Sequence, residues 1–127
     1  MIIALDIDDT ITAMPKFFAI LSRAVIQEQG KVIIVSSRTN TAGVVWETEK
    51  ELKAYGLVYS RLVMIEGKDT AAVTCPYGEL DWWNKYLWQK VDVCQREGVE
   101  VVIEDDEKVV ALFRKYAPEI KVLRVVK

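Results

Sequence analysis

Three short segments of this chain carry side chains able to do chemistry: Asp6-Ile7-Asp8-Asp9-Thr10, Ser36-Ser37-Arg38-Thr39-Asn40 and Glu104-Asp105-Asp106-Glu107. The first and third are dense in carboxylates, which serve as nucleophiles, as general acids and bases, or as ligands to hard cations. The second offers hydroxyls, a guanidinium and an amide, groups that either touch a ligand or cap a following helix. The 127 residues include no histidine. That excludes a Ser-His-Asp triad, a Cys-His pair, an imidazole metal site and an imidazole base. Two acidic segments sharing one partly dry crevice would repel one another severely. A divalent cation resolves that repulsion, and an all-oxygen donor set suits magnesium.

The flanking sequence predicts the elements that bring these segments together. Residues 2–5 form a continuous apolar run that stops at an acid, as buried strands do. Residues 32–35 are wholly β-branched and predict a second strand, with further strands over 62–65, 99–103 and 122–126. Between them, apolar residues recur at helical spacing. Pro15 opens a helix carrying Phe18, Leu21 and Val25, closed by Gly30; Thr41 caps one carrying Val45, Leu52 and Tyr55, closed by Gly56. Leu80, Trp83, Leu87, Val91 and Cys94 mark a third helix ending at Gly98, and Val109, Leu112, Phe113 and Tyr116 a fourth, stopped by Pro118. This alternation predicts an α/β fold, a three-layer α/β/α sandwich around a mainly parallel, five-stranded, Rossmann-like sheet, in one domain over residues 1–127. Ligands of such sheets bind beyond the carboxyl ends of the strands, where the three chemical segments fall. Residues 66–78 predict a longer loop near that end.

Composition narrows the function further. Hydrophobic content of 51% with 28% charged residues is that of a globular chain, and a net charge of −2 argues against a protein held to nucleic acid or an anionic membrane surface by a basic face. No apolar stretch is long enough to span a bilayer, no secretory pattern precedes Asp6, and Cys75 and Cys94 form no CxxC pair. The expectation is a cytoplasmic protein with reduced thiols.

In their order along the chain, the motifs resemble those of the haloacid-dehalogenase-like (HAD) phosphohydrolases. The family's apolar strand and DxDxT stand here as Ile2-Ile3-Ala4-Leu5-Asp6-Ile7-Asp8-Asp9-Thr10; its strand ending in Ser or Thr is matched by residues 32–35 and Ser36; its acidic strand end is matched by Val101-Val102-Ile103-Glu104-Asp105-Asp106. The resemblance implies a Mg²⁺-dependent phosphatase working through an aspartyl-phosphate. Asp6 would be the nucleophile and Asp8 the acid and base. Ser36 would bind a phosphoryl oxygen, with Ser37 and Arg38 also touching substrate. The family's lone lysine is best matched by Lys90, at the edge of an apolar stripe, with Lys85 and Lys68 as alternatives. Asp6, the backbone carbonyl of Asp8 and Asp105 would hold the metal, with Glu104 or Asp106 reaching it directly or through water. Glu104 departs from the Gly or Asp more frequent at its position. Asp9, Thr10 and Glu107 read as structural, and Trp82, Trp83, Trp88 and Tyr77 either pack or form an aromatic platform.

Only one helix fits between Thr10 and Ser36, so no cap domain is expected there. So open a site would take a phosphorylated macromolecule, or a phosphorylated small molecule if a neighbouring subunit of an oligomer supplied a lid. The alternatives are an inactive HAD-like module that binds phosphoryl groups, or a receiver-like signalling module. The latter needs an aspartate ending its third strand, where Ile65-Glu66-Gly67 stands.

Overall fold

The computed structural model describes residues 1–126, apart from the side chains of Lys68 and Ala72. Strands β1 (Ile2–Leu5), β2 (Lys31–Ser36), β3 (Arg61–Met64), β4 (Val101–Glu104) and β5 (Lys121–Arg124) alternate with helices α1 (Pro15–Gln27), α2 (Ala42–Tyr55), α3 (Lys68–Thr74), α4 (Trp82–Arg96) and α5 (Glu107–Tyr116). The strands form one sheet in the order β3-β2-β1-β4-β5, with every pairing parallel. Strand order therefore reverses beside β1: the chain builds outward to β3, then returns to place β4 on the other side. Leu5 pairs with Ile34 on β2 and Ile103 on β4, so Asp6 leaves the sheet next to Glu104. The fold is the expected α/β three-layer sandwich.

The central strands are buried on both faces, which explains why they read as unbroken apolar runs. One core contains Ile3, Leu5, Val32 and Ile34 beneath Phe18 and Ala19 of α1 and Leu52 of α2. The other contains Ala4, Ile33, Val35 and Val102 beneath Leu87, Trp88, Val91 and Cys94 of α4 and Val109, Leu112 and Phe113 of α5. Helix boundaries follow local chemistry. Pro15 occupies the first turn of α1, the Thr41 hydroxyl accepts from the Val44 N–H at 3.4 Å, and Gly56 ends α2 at φ 82°.

Three sequence expectations need correction. Residues 66–78 hold α3 rather than an uninterrupted loop, and α3 packs on α4. Its flanking glycines and Pro76 read as turn signals, but Ala71 is fully buried and anchors a short helix that tertiary packing sustains. The fourth strand begins at Val101, not 99, because the Val99 N–H bonds back to the Cys94 carbonyl at 2.9 Å and belongs to the helix-terminating turn at Gly98. The fifth strand is likewise displaced to Lys121–Arg124. Among the described residues, no helix is long and apolar enough to cross a membrane.

Candidate active site

Beyond β1 the chain makes one wide turn over Ile7–Ile11, in which Asp9 takes the left-handed conformation at φ 61°, a region Asp tolerates better than most residues. The turn is held by the Thr12 hydroxyl, which accepts from the Asp9 N–H at 2.9 Å, and by Ile7 and Ile11, both buried in the core under α1 and α2. It returns Thr10 to the end of the sheet. The Thr10 hydroxyl, fully buried, lies 3.3 Å from Asp6 Oδ2 and 3.1 Å from Asp105 Oδ1. Thr10 thus bridges the two acidic segments instead of bonding local backbone.

Lys90 reaches the same place from the third turn of α4. Its Nζ lies 2.8 Å from Asp6 Oδ1 and 3.0 Å from Glu104 Oε2, and all three side chains are at least nine-tenths buried. The other Glu104 oxygen accepts the N–H groups of Asp105 and Asp106, both at 3.1 Å. Burial disfavours the Lys90 cation, but Asp6 and Glu104 outweigh that and hold its pKa above the ordinary lysine range. Burial pushes both Asp6 and Glu104 up against the opposing pull of Lys90. Asp105 also loses hydration, yet hydrogen bonding with Asp6, Glu104 and Thr10 keeps it below the usual range. One lysine therefore does not balance the three carboxylates. Oxygens of Asp6, Glu104 and Asp105 lie within 4.8 Å of one another, an all-oxygen set that fits a hard divalent cation. Glu104 is held through both oxygens, by Lys90 and by two backbone N–H groups, and Asp6 likewise by Lys90 and Thr10, so a cation would share these oxygens with their present partners.

Asp8 points elsewhere than toward this cluster. Its carboxylate receives Arg38 Nε at 3.0 Å and Nη2 at 2.8 Å, and these bonds hold its pKa below the ordinary carboxyl range. The same guanidinium bonds Thr48 and both oxygens of Glu51 on α2, so it faces side chains of this chain where a substrate contact was expected. Ser36 is buried, its hydroxyl accepting from the Arg38 N–H at 3.0 Å, and Ser37 accepts through its carbonyl from the Tyr86 hydroxyl at 2.9 Å. Asp106 caps α5 through one oxygen, accepting from the Lys108 N–H at 2.8 Å, and is not among the three acids whose oxygens come together. Lys90, not Lys85, meets Asp6; the Lys68 side chain lies outside the described residues. Trp88 is buried in the core edge-on to Tyr77, while Trp83 lies against Tyr86, so these aromatics do not form one platform. The end of β3 supplies no acid to the cluster. Gln89, buried beside Lys90, clamps the Glu66 backbone there through two 3.0 Å bonds, and the Glu66 carboxylate faces Asn40. Sequence reading missed Thr48, Glu51 and Gln89, because a polar residue inside a helix gives no signal of its distant partner.

The acids line a shallow hollow of about 150 Å³, bounded by Asp6, Asp8, Ser37, Lys90 and Asp105. A larger groove of about 560 Å³ opens between Asn40, Glu66, Asp69 and Tyr86, but it does not include the acidic cluster. The hollow is well below the usual size of a small-molecule pocket, so it would take a compact group such as a phosphoryl and leave the rest of a ligand outside.

No protein-family model matches the chain, and no curated protein does. Among solved structures, a chain of the Pnkp1/Rnl/Hen1 RNA repair complex is similar over 97% of this chain and 41% of its own, at 20% identity and a TM-score of 0.67. A chain from another structure of the Pnkp1/Rnl/Hen1 complex matches over 97% and 45%, at 19% identity and a TM-score of 0.65. The chain spans less than half the length of these neighbours, and at such identity the likeness establishes the α/β fold alone.

Proposed function

We propose that this chain is a HAD-type, Mg²⁺-dependent phosphohydrolase that cleaves phosphomonoesters through an aspartyl-phosphate on Asp6. The observation carrying this reading is the convergence of Asp6, Asp105 and Lys90 at the point where strand order reverses, with Lys90 2.8 Å from Asp6. Asp6 would attack phosphorus while the bond to the leaving oxygen breaks, and Asp8 would give that oxygen its proton. Water would then attack the aspartyl-phosphate as Asp8 takes its proton, releasing phosphate and restoring Asp6. Lys90 pulls Asp6 toward its ionised form against the effect of burial, and would offset charge on the phosphoryl oxygens. The Ser36 hydroxyl, already accepting from Arg38, still has its own proton to donate. Asp6, Asp105 and the Asp8 carbonyl would hold the cation, which when bound screens the phosphoryl charge from the carboxylates. Arg38 keeps Asp8 as a carboxylate, the form that takes a proton from water. It makes the protonated form scarce, so the first transfer limits poor leaving groups.

The test is hydrolysis of an aryl phosphate with and without Mg²⁺, by the wild type and by Asp6→Asn. Turnover is expected only with Mg²⁺ and only with Asp6 intact. Metal-independent turnover, or full activity of the variant, would refute the mechanism. Phosphate binding without turnover of any phosphorylated metabolite or phosphopeptide would mark a binding module instead.

A further inference from the structure

Arg38 has five N–H bonds, and all five have acceptors. Nε and Nη2 meet Asp8 at 3.0 and 2.8 Å; Nη1 and Nη2 meet Glu51 at 3.0 and 3.2 Å; Nη1 also meets Thr48 Oγ1 at 3.1 Å. A planar guanidinium held on both forks does not rotate without breaking two charge-assisted bonds together. The two ends of this arrangement differ. The Asp8 side chain is 61% exposed, whereas Thr48 is buried and the Glu51 side chain is only 32% exposed. Water therefore screens the Asp8 end more than the α2 end. Tyr55, one turn on, donates its hydroxyl to Glu51 Oε2 at 3.1 Å and fixes that carboxylate in turn.

We infer that Glu51, assisted by Thr48, is a positioning residue: from α2 it sets the plane of the Arg38 fork, and through that fork the place of the Asp8 carboxyl. The inference rests on the role proposed above for Asp8. Neither Glu51 nor Thr48 touches the reacting group. A plain structural staple between α2 and the loop after β2 would affect stability and slow every substrate alike. A positioning residue acts selectively, on esters whose leaving oxygen needs a proton.

The experiment compares the wild type, Glu51→Gln, Thr48→Val, Asp8→Asn and the Glu51→Gln/Asp8→Asn double variant, in the full chain with Mg²⁺. Each is assayed on an alkyl phosphate and on p-nitrophenyl phosphate, and the Arg38 Nε–H signal is followed by ¹H–¹⁵N NMR, assigned by its loss in Arg38→Lys. Glu51→Gln is expected to slow the alkyl ester about tenfold and the activated ester less than about twofold, with Thr48→Val smaller in the same sense. The double variant should be no slower than Asp8→Asn, since the two residues act as one unit. The Nε–H signal, protected from solvent exchange in the wild type, should broaden in Glu51→Gln. Equal slowing of both esters, additive losses or an unchanged Nε–H signal would overturn the inference. Should the wild type hydrolyse neither ester, the phosphatase reading fails by itself. The NMR signal then still decides whether Glu51 sets the fork.

Discussion

With Lys90 replaced by Met, Asp6 and Glu104 would face each other across a dry gap with no cation between them. Removing one partner of a buried ion pair destabilises by about 3–5 kcal/mol, because the remaining charge is left without hydration or a partner. Lys90→Met is therefore expected to lower metal-free stability by about that amount in urea unfolding, partly relieved by carboxylate protonation. Lys85→Met, on the same helix but outside the cluster, should stay within about 0.5 kcal/mol. Equal effects of the two substitutions would deny the ion pair seen between Lys90 and Asp6. The acids of the site were legible in the sequence because each follows directly on a strand, so chain order alone places it. Arg38 was legible as a candidate, but its partners were not. Glu51 stands 13 residues away within a helix rich in other acids, and only the crossing of α2 over the sheet selects it.

At the scale of elements, Asp106 separates two roles that a run of acids confounds. Its side chain closes the first turn of α5, satisfying N–H groups that the helix leaves without intrahelical partners. Asp106→Ala is expected to cost about 1 kcal/mol in urea unfolding and to leave Mg²⁺ affinity within about twofold of the wild type. Asp105→Asn should weaken Mg²⁺ by about tenfold or more in calorimetric titration. A matching loss in Asp106→Ala would return that residue to the metal site. The strands and the four long helices were readable because buried parallel strands are apolar throughout and amphipathic helices repeat every three to four residues. Helix α3 was not, because its seven residues between glycine and proline hold too few periods to register, and its existence depends on α4 beneath it.

Over the whole molecule, the lack of histidine has a thermodynamic result: between about pH 5 and 8 no imidazole titrates, leaving the buried carboxylates as the side chains to watch. Burial raises Asp6 up to about 8, and raises Glu104 in the same direction. In this interval the folded chain retains protons that the unfolded chain has released, so stability falls as pH rises. Asp8, Glu51 and Asp105, shifted down, give the opposite slope, but at pH values below that interval. Metal-free Tm is thus expected to decline from about pH 5 toward 8, and saturating Mg²⁺ to flatten the decline by binding the ionised form. A metal-free Tm that climbs across this range would contradict the crowded acids. The buried sulfur on α4 carries a separate consequence. Cys94 lies one turn beyond Lys90, is fully enclosed, and its thiol is pushed up to about 12 by that enclosure. Alkylating reagents need an accessible thiolate, so Cys94 stays silent while the helix is seated. Its modification, followed in a chain whose Cys75 is replaced, becomes a stopwatch for how often the lysine-bearing helix lifts away, readable with neither ester nor cation present.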